Sequence, residues 1–154
     1  TIFALKMDKP DQRIIKLIKQ HHVLTLATCT ANIPWCASCF YVWWNEATAF
    51  VFTSDETTKH GKEALENNHV AANIYLETKI VGKIRGVQIS GKIFQPGEDM
   101  LKNARNRYFK KFPYAKLLET TMWILAPEVL KMTDNRFGFG KKMIWKKDEG
   151  SKIY

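Results

Sequence analysis

The chain has 154 residues, 45% of them hydrophobic, enough to bury a proper core in one domain spanning 1–154. Its 24 Lys and Arg outweigh 15 Asp and Glu, and the resulting charge of +9 points to anionic partners without choosing among a phosphorylated cofactor, nucleic acid and a membrane surface. No apolar run approaches the length that spans a bilayer and no signal-peptide pattern opens the chain; three cysteines argue against a disulfide framework, so a reducing cytoplasm is the expected setting.

In chain order, DKPDQRIIKLIKQHH (8–22) reads as an opening helix. Asp8 is its candidate N-cap, Pro10 suits the first turn, and Ile14, Ile15 and Ile18 form a buried stripe. Strand-like segments follow: HVLTLAT (22–28), PWCASCFYVWW (34–44), ATAFVFT (47–53), HVAANIYLE (69–77) and KIRGVQISGKIFQ (83–95). Ala31-Asn32 and Asn45-Glu46 are the candidate turns between the first three, and the short spacing favours antiparallel neighbours. Residues 58–67 read as a short helix. GEDMLKNARNRYFKKF (97–112) is an amphipathic one, with Leu101, Ala104 and Tyr108 on one side and Lys102, Arg105 and Lys110 on the other. A last strand over 122–132 is interrupted by Pro127 and followed by TDNRFGFGKKMIW. Strands with helices inserted between them predict a mainly β (α+β) fold, an antiparallel barrel with helical decoration. Both alternating faces of 34–44 are largely apolar, which predicts a strand covered on both sides and favours an oligomer.

The junction FVFTSDETTKHGKEAL (50–65) is where a strand hands over to a helix. Asp55 or Thr57 would cap that helix, whose free N–H groups, with Lys59 and neighbouring hydroxyls, suit an anion. Gly61 removes a side chain where backbone or ligand comes close. Local chemistry leaves two readings open here, a capped surface helix and an anion site. The CASC motif (36–39) does not read as a metal or redox site, because strand positions three apart face opposite ways and no second ligand pair has suitable spacing. Neither a Ser-His-Asp nor a Cys-His arrangement can be assembled, nor a pair of catalytic carboxylates. The basic-aromatic segments KNARNRYFKKFPYAK and GFGKKMIWKK read as a solvated helix face and a basic tail rather than a nucleic-acid surface.

The segment FVFTSDETTK resembles the F-Y-T-N-x-x-S-R-K motif of the pyridoxamine 5′-phosphate oxidase superfamily, the FMN-binding split barrels, with the Thr53-to-Lys59 spacing kept. ALENNHVAANIYL and IRGVQISGKI resemble its next helix end and strands. HHVLTLAT, WCASCFYV, TTKHG, GVQISG, KFPYAK and KMTDNRFGFGKKMIW together resemble the YhbP-like bacterial family within it, over about residues 20 to 146. The resemblance implies an antiparallel split β-barrel with flanking helices, acting as a homodimer that holds FMN at its interface. It assigns cofactor contacts to Ser38 and Cys39 through backbone, to Thr53, Ser54, Thr58, Lys59 and His60 at the phosphate, and to Lys142 and Trp145 reaching toward the other subunit's flavin. A flavin-dependent oxidoreductase of unknown substrate is the implied function; non-catalytic storage or sensing of haem or F420, cofactors used elsewhere among split barrels, is the alternative. The chain departs from authentic pyridoxamine phosphate oxidases: ASCFYV replaces their R-x-V-L-L-K strand, Thr58-Lys59 replaces their Arg-Lys, and their R-L-H-D-R motif is missing. That specific activity is therefore not expected.

Overall fold

A computed structural model describes residues 9–154; the expected Asp8 cap lies outside the described residues. Helix α1 (Gln12–Gln20) is capped instead by Asp11, whose carboxylate accepts the Arg13 N–H, with Pro10 just ahead of the cap. Ile14, Ile15, Leu17 and Ile18 bury its apolar face. Strands β1 (Val23–Thr30) and β2 (Ile33–Trp44) form a hairpin. Its turn residues Ala31 and Asn32 both have positive φ, +50° and +59°, as a two-residue type I′ turn requires. β3 (Ala49–Ser54) follows, then α2 (Lys59–Glu66), β4 (His69–Tyr75), β5 (Arg85–Phe94) and α3 (Glu98–Lys111). β6 (Thr121–Asp134), β7 (Lys142–Lys146) and β8 (Gly150–Ile153) complete the chain.

All pairings are antiparallel, in the order β3-β2-β1-β4-β5-β6, and β3 pairs with β6 to close a six-stranded barrel. β7 and β8 extend the sheet beyond β6. The core is one cluster, filled by Leu24, Leu26, Tyr41, Phe50, Phe52, Trp123, Leu125 and their neighbours. β4 and β5 show the inward/outward alternation of half-buried strands.

Two expectations are corrected. Pro127 does not interrupt the last strand: β6 runs unbroken for 14 residues. One edge of β6 pairs with β3 as far as Leu125 and with β7 from Val129, so Pro127, which has no N–H to give, stands where that edge changes partner. On the other edge Pro127 faces Gly91, beside a register shift; a Cβ on Gly91 would lie 2.2 Å from the Ala126 carbonyl oxygen. Second, the expected basic tail is the β7–β8 hairpin, with Met143 and Trp145 turned into the core.

The expected cover of both faces of β2 is supplied by this chain only over its second half. Residues 33–40 pair with β1, but pairing to β3 begins only at Tyr41. From Tyr41 onward the strand is well covered, whereas Ile33, Trp35 and Phe40 are 63%, 46% and 58% exposed. The barrel is split along this edge, which presents unpaired backbone and large apolar side chains together.

Candidate functional site

At the end of β3 the chain makes a tight turn before α2. The Asp55 carboxylate accepts the Thr57 N–H at 2.7 Å and its hydroxyl at 2.8 Å, so Asp55 closes this turn. The N-cap is Thr58, rather than the expected Asp55 or Thr57: its Oγ1 accepts the Gly61 N–H at 3.1 Å. Gly61 is needed for close backbone approach, since a Cβ there would lie 2.5 Å from the Asp55 carbonyl oxygen. The Lys59 and His60 N–H groups, in the first turn of α2, have no partner among the described residues.

Two groups of side chains surround this helix start. In the first, Ser54 Oγ and His60 Nε2 share a hydrogen bond of 2.5 Å, with Thr58 Oγ1 3.3 Å from the same nitrogen. Burial pushes the His60 pKa down, opposed by the Glu63 carboxylate, so the imidazole is biased toward its neutral form. Ser54 is anchored from below by the Trp123 indole, which donates to its carbonyl at 3.0 Å. Thr53 donates to the Tyr108 hydroxyl at 3.3 Å, and Tyr108 in turn reaches the Phe40 carbonyl at 3.4 Å, tying α3 to the split edge.

In the second, Lys59 folds back along α2. Its ammonium lies 2.8 Å from Glu63 Oε1 and 5.3 Å from the centre of the Trp35 ring. Glu63 is buried, 5% exposed, and its other oxygen accepts the hydroxyl of Thr28 on β1 at 2.5 Å. Hydrogen bonds from Lys59 and then Thr28 hold the Glu63 carboxyl below the usual carboxylate range, against the opposing effect of burial. Lys59, the one full cation of the expected phosphate site, is thus shared with a buried carboxylate.

The other expected contacts lie elsewhere. Ser38 is exposed on the split edge while its neighbour Cys39 turns into the core, where burial pushes its thiol pKa up to about 11. Cys36 is exposed, so the two thiols of CASC face opposite sides of β2, as alternation predicts. Lys142 opens β7, and with Arg13, Asp134, Phe137 and Lys141 it lines a cleft of about 270 Å³ against α1. Trp145 is 3% exposed, in the core of the barrel. β7 pairs with β6 and β8, away from the β3–α2 junction. Sequence reading missed Glu63, Thr28 and Tyr108. Only the Lys59–Glu63 spacing of four was visible as a signal.

No family model matches the chain. A UPF0306 protein of Klebsiella pneumoniae (strain 342) is 39% identical over 134 residues, covering 87% of this chain and 91% of that protein. A UPF0306 protein of Photorhabdus laumondii is 38% identical over 136 residues, covering 88% and 95%. Among solved structures, a heme binding protein from Mycobacterium smegmatis superposes with TM-score 0.75 at 19% identity, covering 87% of this chain; the chain spans 56% of that protein's length. HutZ, the heme storage protein from Vibrio cholerae, gives 0.65 at 14% identity, covering 78% and 91%. A FAD-binding protein from Mesorhizobium loti gives 0.65 at 10% identity, covering 77% and 88%. At these identities the likeness is one of fold, the antiparallel split barrel.

Proposed function

Because this chain belongs to the UPF0306 protein family, we propose that it is an FMN-binding homodimer of the YhbP-like kind, a flavin-dependent oxidoreductase distinct from pyridoxamine phosphate oxidase. One observation carries the proposal: the start of α2, with two unpartnered N–H groups, lies beside an apolar edge that its own barrel leaves unpaired. The residues fit a flavin phosphate. The Lys59 and His60 N–H groups, the Ser54 hydroxyl and the Lys59 ammonium would hold it; Thr58, whose hydroxyl donates to the Asp55 carbonyl at 2.7 Å and accepts the Gly61 N–H, would shape the helix start, with Thr53 orienting the strand end. Ser38, the Cys39 backbone and the ring of Trp35, on the side where Lys59 lies, would flank the isoalloxazine. When bound, the flavin supplies the electron-transfer chemistry. The protein binds and orients it and keeps the neutral His60 hydrogen-bonded to Ser54. Lys142 would serve the flavin of a second copy from its exposed position, and Trp145 would do so by anchoring β7.

Haem is the second reading, favoured by two structures of the same fold whose names state haem binding or storage; F420 is a third candidate occupant. The absorption spectrum of freshly purified protein separates them, followed by mass spectrometry of whatever denaturation releases. Flavin bands support the main reading and a Soret band the second; a colourless protein that gains no flavin spectrum on adding FMN sinks the first. If FMN binds, Lys59→Ala is expected to weaken it by about tenfold, since a hydrogen bond to a charged group contributes roughly 1.5–3 kcal/mol and Lys59 is already shared. Riboflavin, which lacks the phosphate, should change little. Equal losses for FMN and riboflavin in fluorescence titrations would remove Lys59 from the phosphate site.

A further inference from the structure

We propose that Glu63 is a specificity-determining residue of this site: by holding Lys59, it sets how much of the flavin's affinity comes from its phosphate. This rests on the flavin reading above. Buried carboxylates occur where partners compensate them, and Glu63 has two, the Lys59 ammonium at 2.8 Å and the Thr28 hydroxyl at 2.5 Å.

Helix electrostatics do not account for the pair. Lys59 is the first residue of α2, where the dipole favours an anion, and Glu63 lies in the last turn, where it favours a cation. Lys before Glu at this spacing is also the weaker order. Both charges oppose the helix, and they pair with each other instead, although Glu63 Oε1 has no well-directed hydrogen bond. A lysine at this position is placed for an anion beside the free N–H groups, and Glu63 occupies it until one arrives.

Among the described residues the other charged or titratable group facing Glu63 is His60, biased toward neutrality and so no substitute cation, while Thr28 and Thr30 approach from β1. Binding a phosphate therefore draws on whatever fraction of Lys59 is released from Glu63. Apparent affinity falls by that fraction, as for any ligand whose competent state is only partly populated. Riboflavin carries no phosphate and is indifferent to this exchange, so Glu63 acts on the ratio of the two affinities.

The test is titration of the apo-protein with FMN and with riboflavin, read by flavin fluorescence, for wild type, Glu63→Gln, Lys59→Gln and the double variant. Glu63→Gln keeps the shape and an acceptor for Thr28. It is expected to tighten FMN by about tenfold and to move riboflavin by less than about twofold, the scale of one charge-assisted contact. In the Lys59→Gln background the same change should move FMN by less than about threefold, because Glu63 acts through Lys59. Parallel shifts of both flavins, or an unchanged FMN affinity, would make Glu63 a tie between α2 and β1 and overturn the proposal. Should Glu63→Gln fail to fold, Thr28→Val with Glu63→Met removes both polar partners at similar volume, and the same FMN-to-riboflavin ratio decides. If wild type and all variants bind neither flavin, the flavin reading itself falls, and this one with it; binding of both by wild type with a ratio that Glu63 does not change overturns this one alone.

Discussion

Trp123→Ala is expected to destabilise the protein by about 3–5 kcal/mol, a large share of the roughly 5–15 kcal/mol that holds a domain together. Trp123 is 2% exposed and sits opposite Phe52 in the β3–β6 pairing that closes the barrel. Truncation leaves a cavity the size of an indole at that seam, where surrounding strands are tied by backbone hydrogen bonds and collapse only partly. It also removes the donor to the Ser54 carbonyl, the bond that fixes the strand end from which Ser54 meets His60. Trp123→Phe keeps most of the ring and loses that bond, so a smaller cost of about 1–3 kcal/mol is expected, the scale of a buried acceptor left unpaired. Urea denaturation measures both, as a shift in midpoint at constant slope. A Trp123→Ala midpoint within error of wild type would mean that the seam does not hold the barrel.

The second large effect concerns assembly. Phe40→Asp combined with Trp35→Asp is expected to convert a dimer into a monomer, with dissociation made at least about a hundredfold easier, because hot-spot aromatics at an interface typically carry 2 kcal/mol or more each. The two side chains lie on the stretch of β2 that has no neighbour beyond β1, and both are about half exposed in the single chain. Charged residues are also what natural sheets use to blunt an open edge. Since neither ring is buried within its own barrel, the folded monomer should survive with a melting temperature near that of wild type. Size-exclusion chromatography with light scattering reads the mass and thermal denaturation reads the fold. A wild-type chain that is monomeric at micromolar concentration would end the homodimer proposal.

The barrel strands were legible because alternation is a local property: Val70, Ala72 and Ile74 face inward and their neighbours outward, whatever the rest of the chain does. The β1–β2 turn was legible for the same reason. The β7–β8 hairpin was not. Its two inward residues, Met143 and Trp145, are embedded among lysines and follow Gly138 and Gly140, whose positive φ angles form a loop that reads as a tail. Pro127 misled because its cost depends on which edge of β6 is paired at that point, a fact of topology rather than of composition.

The site divides in the same way. The spacing from Thr53 to Lys59 was enough to bring Ser54, Thr58 and His60 together, since a turn and a first helical turn are short-range constructions. The direction of the Lys59 side chain was not, because Thr28, which steadies its carboxylate partner, comes from a strand 35 positions away. The open edge of β2 was equally hidden: its sequence reads as a strand covered on both faces, whereas β3 is too short to reach its first half.

The closing pair of strands also sets an order in time. Phe50 pairs with Leu125, 75 positions further along, whereas the β1–β2 and β2–β3 hairpins join near neighbours. Contacts of such separation form late, because the entropy of the intervening loop must be lost before they return anything, and topologies dominated by them fold in milliseconds to seconds. During synthesis β1, β2 and β3 are all made well before the residues that complete the ring. The nascent chain therefore passes through a stage in which the outer side of β3 lies open as well as the start of β2. Until β6 arrives, the turn that carries Ser54 and His60 lacks the indole that anchors it.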